Sequence, residues 1–406
     1  MASIEKRGTN SWRLVVEAGY DAQGKRIKRY KTIRVEDEAL LRTTKKLRDY
    51  LNDELIKFKI EVEAGEYIAP EKMTFGAFVE EWRKKHGEKH LSPTVLDTYN
   101  SHLKNHILPV FGHLRIDQIK TIQIVNFFDQ LSTREIMRGG RSGKLSGTTR
   151  RYIYRVLRDV LERAVEWKLI KTNPIEGVKK PEIDTKEREI FLEDELILMF
   201  QKLADESLKW RTFIELAVTT GMRRGELLAI DINKHLRWEK IDGEDTLFID
   251  VRESVAKAGG QVIIKEVKTK KSRRTIAVTP EVVPLVQKLA NEVRKNKLML
   301  GTGWHGGDRM LLFGQENGLP TYPDTPLSWF SRFLKRHGLD HKKVTIHGLR
   351  HTYATYLLYK GYSLKEIQEL LGHSNIRITG EFYTHFIKDM NKRAATAFSE
   401  LKKGAK

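Results

Sequence analysis

The sequence predicts a multidomain chain, mainly α with α+β, built as a small sheet with a covering helix, an all-α domain and a mixed α/β domain. Three observations predict it. Strand-like alternation dominates the first 35 residues, helical periodicity runs from about residue 74 to 171, and helices and strands are interspersed after residue 190. With 406 residues, of which 40% are hydrophobic, the chain carries enough apolar material for two or three cores.

In the first region Trp12, Leu14 and Val16 alternate with polar neighbours, Asp21-Ala-Gln-Gly24 supplies a turn, and Lys28 to Ile33 returns as a strand. From about Val35 to Gly65 the composition favours helix. Leu40, Leu47, Leu51 and Leu55 fall there at helical spacings that can cover one face of the sheet. Ala69-Pro70 reads as a linker. The all-α stretch begins with Phe75, Phe78, Val79 and Trp82 and continues through Val95 to Leu103 and Ile122 to Leu131. Its sharpest helix starts at Thr148, where Ile153, Val156, Leu157, Val160, Leu161, Ala164 and Val165 form one apolar face. Ser132 to Gly147, rich in Gly and Arg, reads as a flexible loop, Asn173-Pro174 ends the bundle, and Val178 to Arg188 reads as a second linker. Beyond it, Phe191-Leu-Glu-Asp-Glu opens a helix, and Trp210 to Thr220 forms a mostly apolar helix stopped by Gly221. Leu247 to Val251, Gln261 to Ile264 and Thr275 to Val278 have strand character, whereas Ser328 to Gly338, Gly348 to Lys360 and Leu364 to Leu371 return to helix. These breaks divide the chain into domains at 1–66, 74–175 and 186–406.

Lys and Arg number 74 against 54 Asp and Glu, a formal net charge of +20 that suits a polyanionic partner, nucleic acid ahead of an anionic membrane. The charge is divided between regions: residues 6–34 hold nine basic and two acidic side chains, and residues 67–180 hold 21 and 12. Such separation is expected of modules placed along one duplex. The candidate DNA contacts are Arg7, Trp12, Lys25, Arg26 and Lys28 in the first region, and Arg151, Arg155 and Arg158 on a second face of the helix from Thr148. A cationic turn from Lys268 to Arg274 adds Lys270 and Lys271. A solvated arginine face is the common fate of such a stripe, but the basic surroundings favour phosphates. No apolar run approaches the roughly 20 residues that span a bilayer, and the N-terminus lacks an apolar signal-peptide core. A cytoplasmic, DNA-associated protein without a membrane partner is expected. The absence of cysteine excludes disulfides, thiolate zinc sites and cysteine nucleophiles, so any chemistry must come from oxygen and nitrogen groups.

Such groups converge near the end of the chain. Thr-Ile-His347-Gly-Leu-Arg350-His, Leu-Gly372-His373-Ser and Phe-Tyr383-Thr-His bring imidazoles, a guanidinium and a phenol together within about forty residues. Attack on a phosphodiester needs a nucleophile, stabilisation of the charge on the nonbridging oxygens and an acid for the departing oxygen. His347 and Arg350 are three residues apart and share a face if a helix begins there. Arg223, in Thr220-Gly221-Met-Arg223-Arg-Gly-Glu226, follows a helix end at a glycine, where a side chain and backbone amides can face an anion. Each also has a blander reading: Arg223 as a surface residue, His373 as a helix-terminal histidine bonded to backbone, Tyr383 as core beside Phe382 and Phe386. Zinc at His347 and His351 is disfavoured, because the glutamate of His-Glu-x-x-His and a clear third ligand are missing.

Taken in order, these segments resemble the tyrosine recombinase family, also called phage integrases. Thr-Gly-Met-Arg223-Arg-Gly-Glu resembles the first family box, His347-Gly-Leu-Arg350-His-Thr-Tyr-Ala-Thr the second, and Leu-Gly-His373-Ser with Tyr383 the remainder. The resemblance implies a mixed α/β catalytic domain of the tyrosine recombinase type over 186–406, with a C-terminal helix exchanged between subunits. It further implies an all-α core-binding (SAM-like) domain over 74–175, and an arm-type DNA-binding domain over 1–66 made of a small three-stranded sheet plus helix. By the same resemblance, Arg223 and Arg350 clamp the scissile phosphate, His347 and His373 complete a cationic pocket, and Tyr383 forms a 3′-phosphotyrosyl bond. Lys268, in Val-Lys268-Thr-Lys-Lys-Ser-Arg-Arg, matches the acid for the leaving oxygen, with Lys270 and Lys271 as alternatives. One departure is Ala277-Val278 where the family has a proline after the following strand, which leaves the register of that turn open. A tyrosine of pKa about 10 is almost wholly protonated at neutral pH, so it needs a proton acceptor and a positive field. No metal or other cofactor is implied.

The partners implied are double-stranded DNA with core-type and arm-type attachment sites, a homotetramer on that DNA, an excisionase and a DNA-bending host protein. The function implied is a site-specific recombinase that integrates and excises a mobile element, a phage or an integrative conjugative element. Its rivals are a transposase of a conjugative element, a type IB topoisomerase-like relaxing enzyme and a catalytically silent DNA-binding regulator.

Overall fold

The computed structural model describes residues 2–20, 26–41, 43–63, 73–133, 135–138, 141–183, 189–267 and 270–373. The chain divides into two compact units, Met1–Thr185 and Lys186–Lys406. The first opens with an antiparallel sheet of β1 (Ala2–Lys6), β2 (Ser11–Tyr20) and β3 (Arg26–Arg34) in sequence order. After it come α1 (Glu38–Leu41) and α2 (Thr44–Glu63). Successive side chains of a strand point to opposite faces, so β2 turns Trp12, Leu14 and Val16 one way, where Leu51 and Phe58 of α2 complete two small apolar clusters. Trp12 is therefore core and not a DNA contact, with 7% of its surface exposed. The alternation that buries Trp12 turns Arg13 to the other face, where its guanidinium lies 5.5 Å above the Tyr30 ring.

The helical part of this unit comprises α3 (Phe75–Trp82), α4 (Glu88–His90), α5 (Pro93–His102), α6 (Leu108–Phe111), α7 (Thr121–Thr133) and α8 (Gly147–Glu166). Single π-helical turns, Arg83–Gly87 and Leu103–Ile107, run α3 into α4 and α5 into α6. Thr74 caps α3 by accepting from the Ala77 N–H at 3.2 Å, and Ser146 caps α8 by accepting from the Thr149 N–H at 3.2 Å. The apolar stripe of α8 meets Phe75, Phe78, Trp82, Phe111 and Phe127 in one core. The segment expected to be a flexible loop instead carries a hairpin of β4 (Glu135–Arg138) and β5 (Arg141–Lys144). Four-residue strands are too short to leave a visible alternation, which is why composition misled there.

The second unit contains α9 (Glu193–Leu203), α10 (Leu208–Thr220) and α11 (Arg224–Leu228). There follow β6 (Leu236–Ile241), β7 (Glu244–Val251), β8 (Glu253–Ala258), β9 (Gln261–Glu266) and β10 (Arg274–Ala277). The unit continues with α12 (Val283–Leu300), α13 (Asp324–Arg336), α14 (Ile346–Tyr359) and α15 (Leu364–Leu371). The sheet order is β10-β7-β6, all antiparallel, and β8 pairs with β9. Leu247, Ile249, Val251 and Ile276 on the sheet pack with Phe213, Leu216 and Ala217 of α10 and Phe330 and Phe333 of α13. β6 is an edge strand with mostly exposed side chains, so its sequence lacks the apolar alternation that betrays β7. Among the described residues, no helix is long and apolar enough to cross a membrane.

Candidate active site

The pocket starts where α10 stops. Gly221 has φ +59°, and a Cβ there would lie 2.5 Å from Tyr353 Cδ1 and 2.7 Å from Leu371 Cδ2, so both the conformation and the space require glycine. Arg223 directly precedes α11. Its N–H donates to Glu226 Oε2 at 2.9 Å, and its Nη1 donates to Glu226 Oε1 at 2.7 Å. Glu226 is itself buried and also accepts from Arg274 Nη2 at 2.8 Å. Burial alone would raise its pKa, but the Arg274 and Arg223 guanidiniums outweigh that and hold the carboxyl below the usual value, ionised.

The second wall is α14, capped by Thr345, whose hydroxyl accepts from the Gly348 N–H at 3.1 Å. His347 stands exposed in the first turn, its ring edge-on to that of buried His351 at 4.9 Å. Arg350 is 2% exposed and donates from Nη1 to the Gly221 carbonyl at 2.7 Å and from Nη2 to the Leu371 carbonyl at 2.6 Å. Burial, then the neighbouring Arg223 charge, pushes it down to about 9, so it remains a cation at neutral pH.

The third element, α15, begins with a reciprocal cap in which Ser363 Oγ accepts from the Glu366 N–H at 3.2 Å and Glu366 Oε2 accepts from the Ser363 N–H at 2.7 Å. It ends at Gly372, φ +63°. The last carbonyls of a helix lack intrahelical partners and carry the negative end of its dipole. Here side chains meet four in succession: Leu370 takes Arg274 Nε at 2.8 Å, Leu371 takes Arg350, Gly372 takes Arg223 Nη2 at 3.4 Å, and His373 takes Gln368 Nε2 at 3.0 Å. Three guanidiniums from three segments thus gather at one helix end. His373 itself is buried, and burial together with Arg350, Arg223, Arg274 and His347 pushes its imidazole down to about 3. Crowding by cations favours the neutral imidazole, able to donate one hydrogen bond and accept another.

The fold brings Arg223, Arg350 and His373 together, with His347 near enough for its charge to act on His373. Lys268 and Tyr383 lie outside the described residues, as do Lys25 and the side chains of Arg26 and Lys270. Lys271 is exposed in a short 3₁₀ turn, Lys270–Ser272, just before β10. Arg7 is exposed and paired with Glu5 at 2.7 Å, and Lys28 is exposed on β3. On α8, Arg155 and Arg158 are exposed, whereas half-buried Arg151 donates from Nε to the Pro181 carbonyl at 2.6 Å. The sequence reading assigned no role to Glu226, Arg274 or Gln368. Arg274 had a legible mark: it takes an inward position on β10, alternating with exposed Thr275. Among the described residues, no group of His, Asp or Glu side chains could hold a metal ion.

Guanidiniums fixed in advance beside an imidazole suit an anion whose oxygens gain charge, and an α/β domain bearing them after a helical domain is the architecture of a tyrosine recombinase. Residues 189–389 match the phage integrase family, and residues 74–132 match the phage integrase N-terminal SAM-like domain. The chain belongs to the phage integrase family. It is 28% identical to a XerC-like tyrosine recombinase of Caldanaerobacter subterraneus subsp. tengcongensis, over 98% of this chain and 97% of that one. It is 27% identical to the ICEBs1 integrase of Bacillus subtilis, over 74% of this chain and 76% of that one. The fold is shared with the Tn1549 transposon integrase bound to transposon right end DNA (TM-score 0.61, 21% identity, 80% of this chain and all of that one). It is shared also with a lambda integrase tetramer bound to a Holliday junction (TM-score 0.53, 20% identity, 93% of this chain and 94% of that one).

Proposed function

We propose that Tyr383 is the nucleophile of this site-specific tyrosine recombinase, which cuts and rejoins DNA at the ends of a mobile element. The observation that carries the proposal is the convergence of Arg223, Arg350 and His373 on the end of α15, with His373 ten residues before Tyr383. The Tyr383 hydroxyl attacks the scissile phosphorus and its proton passes to His347. The bond to the 5′ oxygen breaks, and that oxygen takes a proton from Lys268. Arg350 meets the nonbridging oxygens from the floor of the pocket, and Arg223, with 38% of its side chain exposed, from the open side. The phosphotyrosyl bond keeps the energy of the phosphodiester, so the 5′-hydroxyl of a partner strand can reverse the step without ATP.

Core-type sites fall to the helical and α/β domains, and arm-type sites to the β1–β3 sheet with exposed Lys28. The proposed assembly is a tetramer on a junction, as in the lambda integrase structure, with an excisionase setting direction. The test is covalent trapping in EDTA on nicked duplexes from the ends of the element that carries the gene. Wild type should leave a detergent-resistant adduct on the 3′ phosphate, and Tyr383→Phe should leave none. Tight binding with no adduct from either would instead mark a silent DNA-binding regulator.

A further inference from the structure

We propose that Arg274 is a positioning residue for strand cleavage, tying the end of α15 to the Glu226 carboxylate and so setting where Arg223 and His373 stand. The inference rests on the cleavage reading above. Arg274 opens β10 facing inward, and only 6% of its side chain is exposed. A guanidinium so placed is tolerated only if its donors are met. All three nitrogens are: Nε by the Leu370 carbonyl at 2.8 Å, Nη2 by Glu226 Oε2 at 2.8 Å and Nη1 by the Ser272 carbonyl at 3.3 Å. Each bond leads to a different part of the pocket. Leu370 is three residues before His373, the other oxygen of Glu226 holds Arg223 Nη1, and Ser272 closes the turn that carries Lys270 and Lys271.

The packing is as tight as the bonding. A Cβ on Gly372 would come within 3.2 Å of Arg274 Cδ and 3.1 Å of the Lys271 carbonyl, so the glycine, the turn and the arginine stem are in mutual contact. A shift of the guanidinium is therefore felt by the helix end, the Arg223 carboxylate partner and the lysine turn together. Arg223 and Arg350 hold the same helix end but belong to the phosphate clamp; Arg274 acts through its neighbours. Lysine cannot replace it, since an ammonium on a flexible stem lacks the planar fork that spans a carbonyl and a carboxylate at once. Its charge is also one of those that keep His373 neutral.

The test compares full-length wild type, Arg274→Ala, Arg274→Lys and Tyr383→Phe on the nicked duplexes, reading single-turnover adduct formation and DNA retention separately. Arg274→Ala should retain DNA within about twofold and form adduct roughly 100-fold more slowly, the scale of an ångström-sized misplacement. Arg274→Lys should stay at least about tenfold slow. Millimolar guanidinium should speed Arg274→Ala, while sodium chloride of the same ionic strength should not, a rescue that a general loss of structure would not permit. In the same variant the His373 imidazole, followed by NMR, should titrate at higher pH than in wild type. Wild-type rates from Arg274→Ala or Arg274→Lys, retention lost in step with rate, or the absence of guanidinium rescue would each overturn the inference. Should Arg274→Ala not fold, Arg274→Lys, which keeps bulk and charge, decides by its rate at unchanged retention. No adduct from wild type would instead overturn the cleavage reading, and this inference with it.

Discussion

The arginines of α8 and those around the end of α15 are the same residue put to opposite physical uses. Arg155 has 64% of its side chain exposed, lies 3.7 Å from Asp159 and sits 5.9 Å above the Tyr152 ring, contacts that water and salt can replace. Arg350 and Arg274 are buried, and their nitrogens end on named carbonyls and a carboxylate. A surface guanidinium contributes charge that is free to move, whereas a buried one is fixed in place by its partners. Replacing the first should change how strongly DNA is held; replacing the second should change whether it is cut.

The largest effect that sharpens this contrast is expected at Arg350. Arg350→Ala should lower adduct formation by about 10³-fold, the scale of a lost oxyanion donor, while DNA retention changes little. A variant that cut at a tenth of the wild-type rate would erase the distinction. Next comes Glu226→Gln, which leaves two guanidiniums without their counter-charge. Breaking a buried pair should destabilise by about 3 kcal/mol, measurable as a lower denaturant midpoint, and an unchanged midpoint would place Glu226 among the surface ion pairs instead.

A smaller effect concerns acid. Burial and the surrounding cations push the folded His373 down to about 3, against about 6.5 for an unfolded histidine, so its contribution to stability is complete above the unfolded value. That contribution is lost progressively as pH falls from about 6.5 toward 3. His373→Gln should therefore flatten the fall in stability over that window, and parallel curves for the two proteins would count against a neutral His373. The smallest change is predicted for Arg155→Ala. It should leave stability within about 0.5 kcal/mol and reduce the slope of log affinity against log salt by about 0.9, one phosphate contact. An unchanged slope would return the α8 stripe to a solvated face.

What the sequence made legible was local. A glycine ends α10 two residues before Arg223, His347 and Arg350 fall on successive turns of α14, and a glycine ends α15 just before His373, all within windows that helix chemistry alone can read. Family resemblance then supplied the order of these pieces. What escaped was the pairing of Glu226 with Arg274, 48 residues apart, because no periodicity links a helix cap to a strand on another wall. Trp12 was misread for a different reason. Its basic neighbours suggested a nucleic-acid contact, although its alternation with Leu14 and Val16 already pointed it inward.

The carbonyl ladder at residues 370–373 also sets an order of events for the growing chain. Its guanidiniums come from positions 223, 274 and 350, and the bond from Arg223 to Gly372 closes across 149 residues. Closures over such separations are slow to form, and the residues of the first unit leave the ribosome long before the end of α15. A nascent chain can thus display the exposed arginines of α8 while its pocket still lacks a floor. Competence to break a strand arrives last, after almost everything that could hold the DNA is in place.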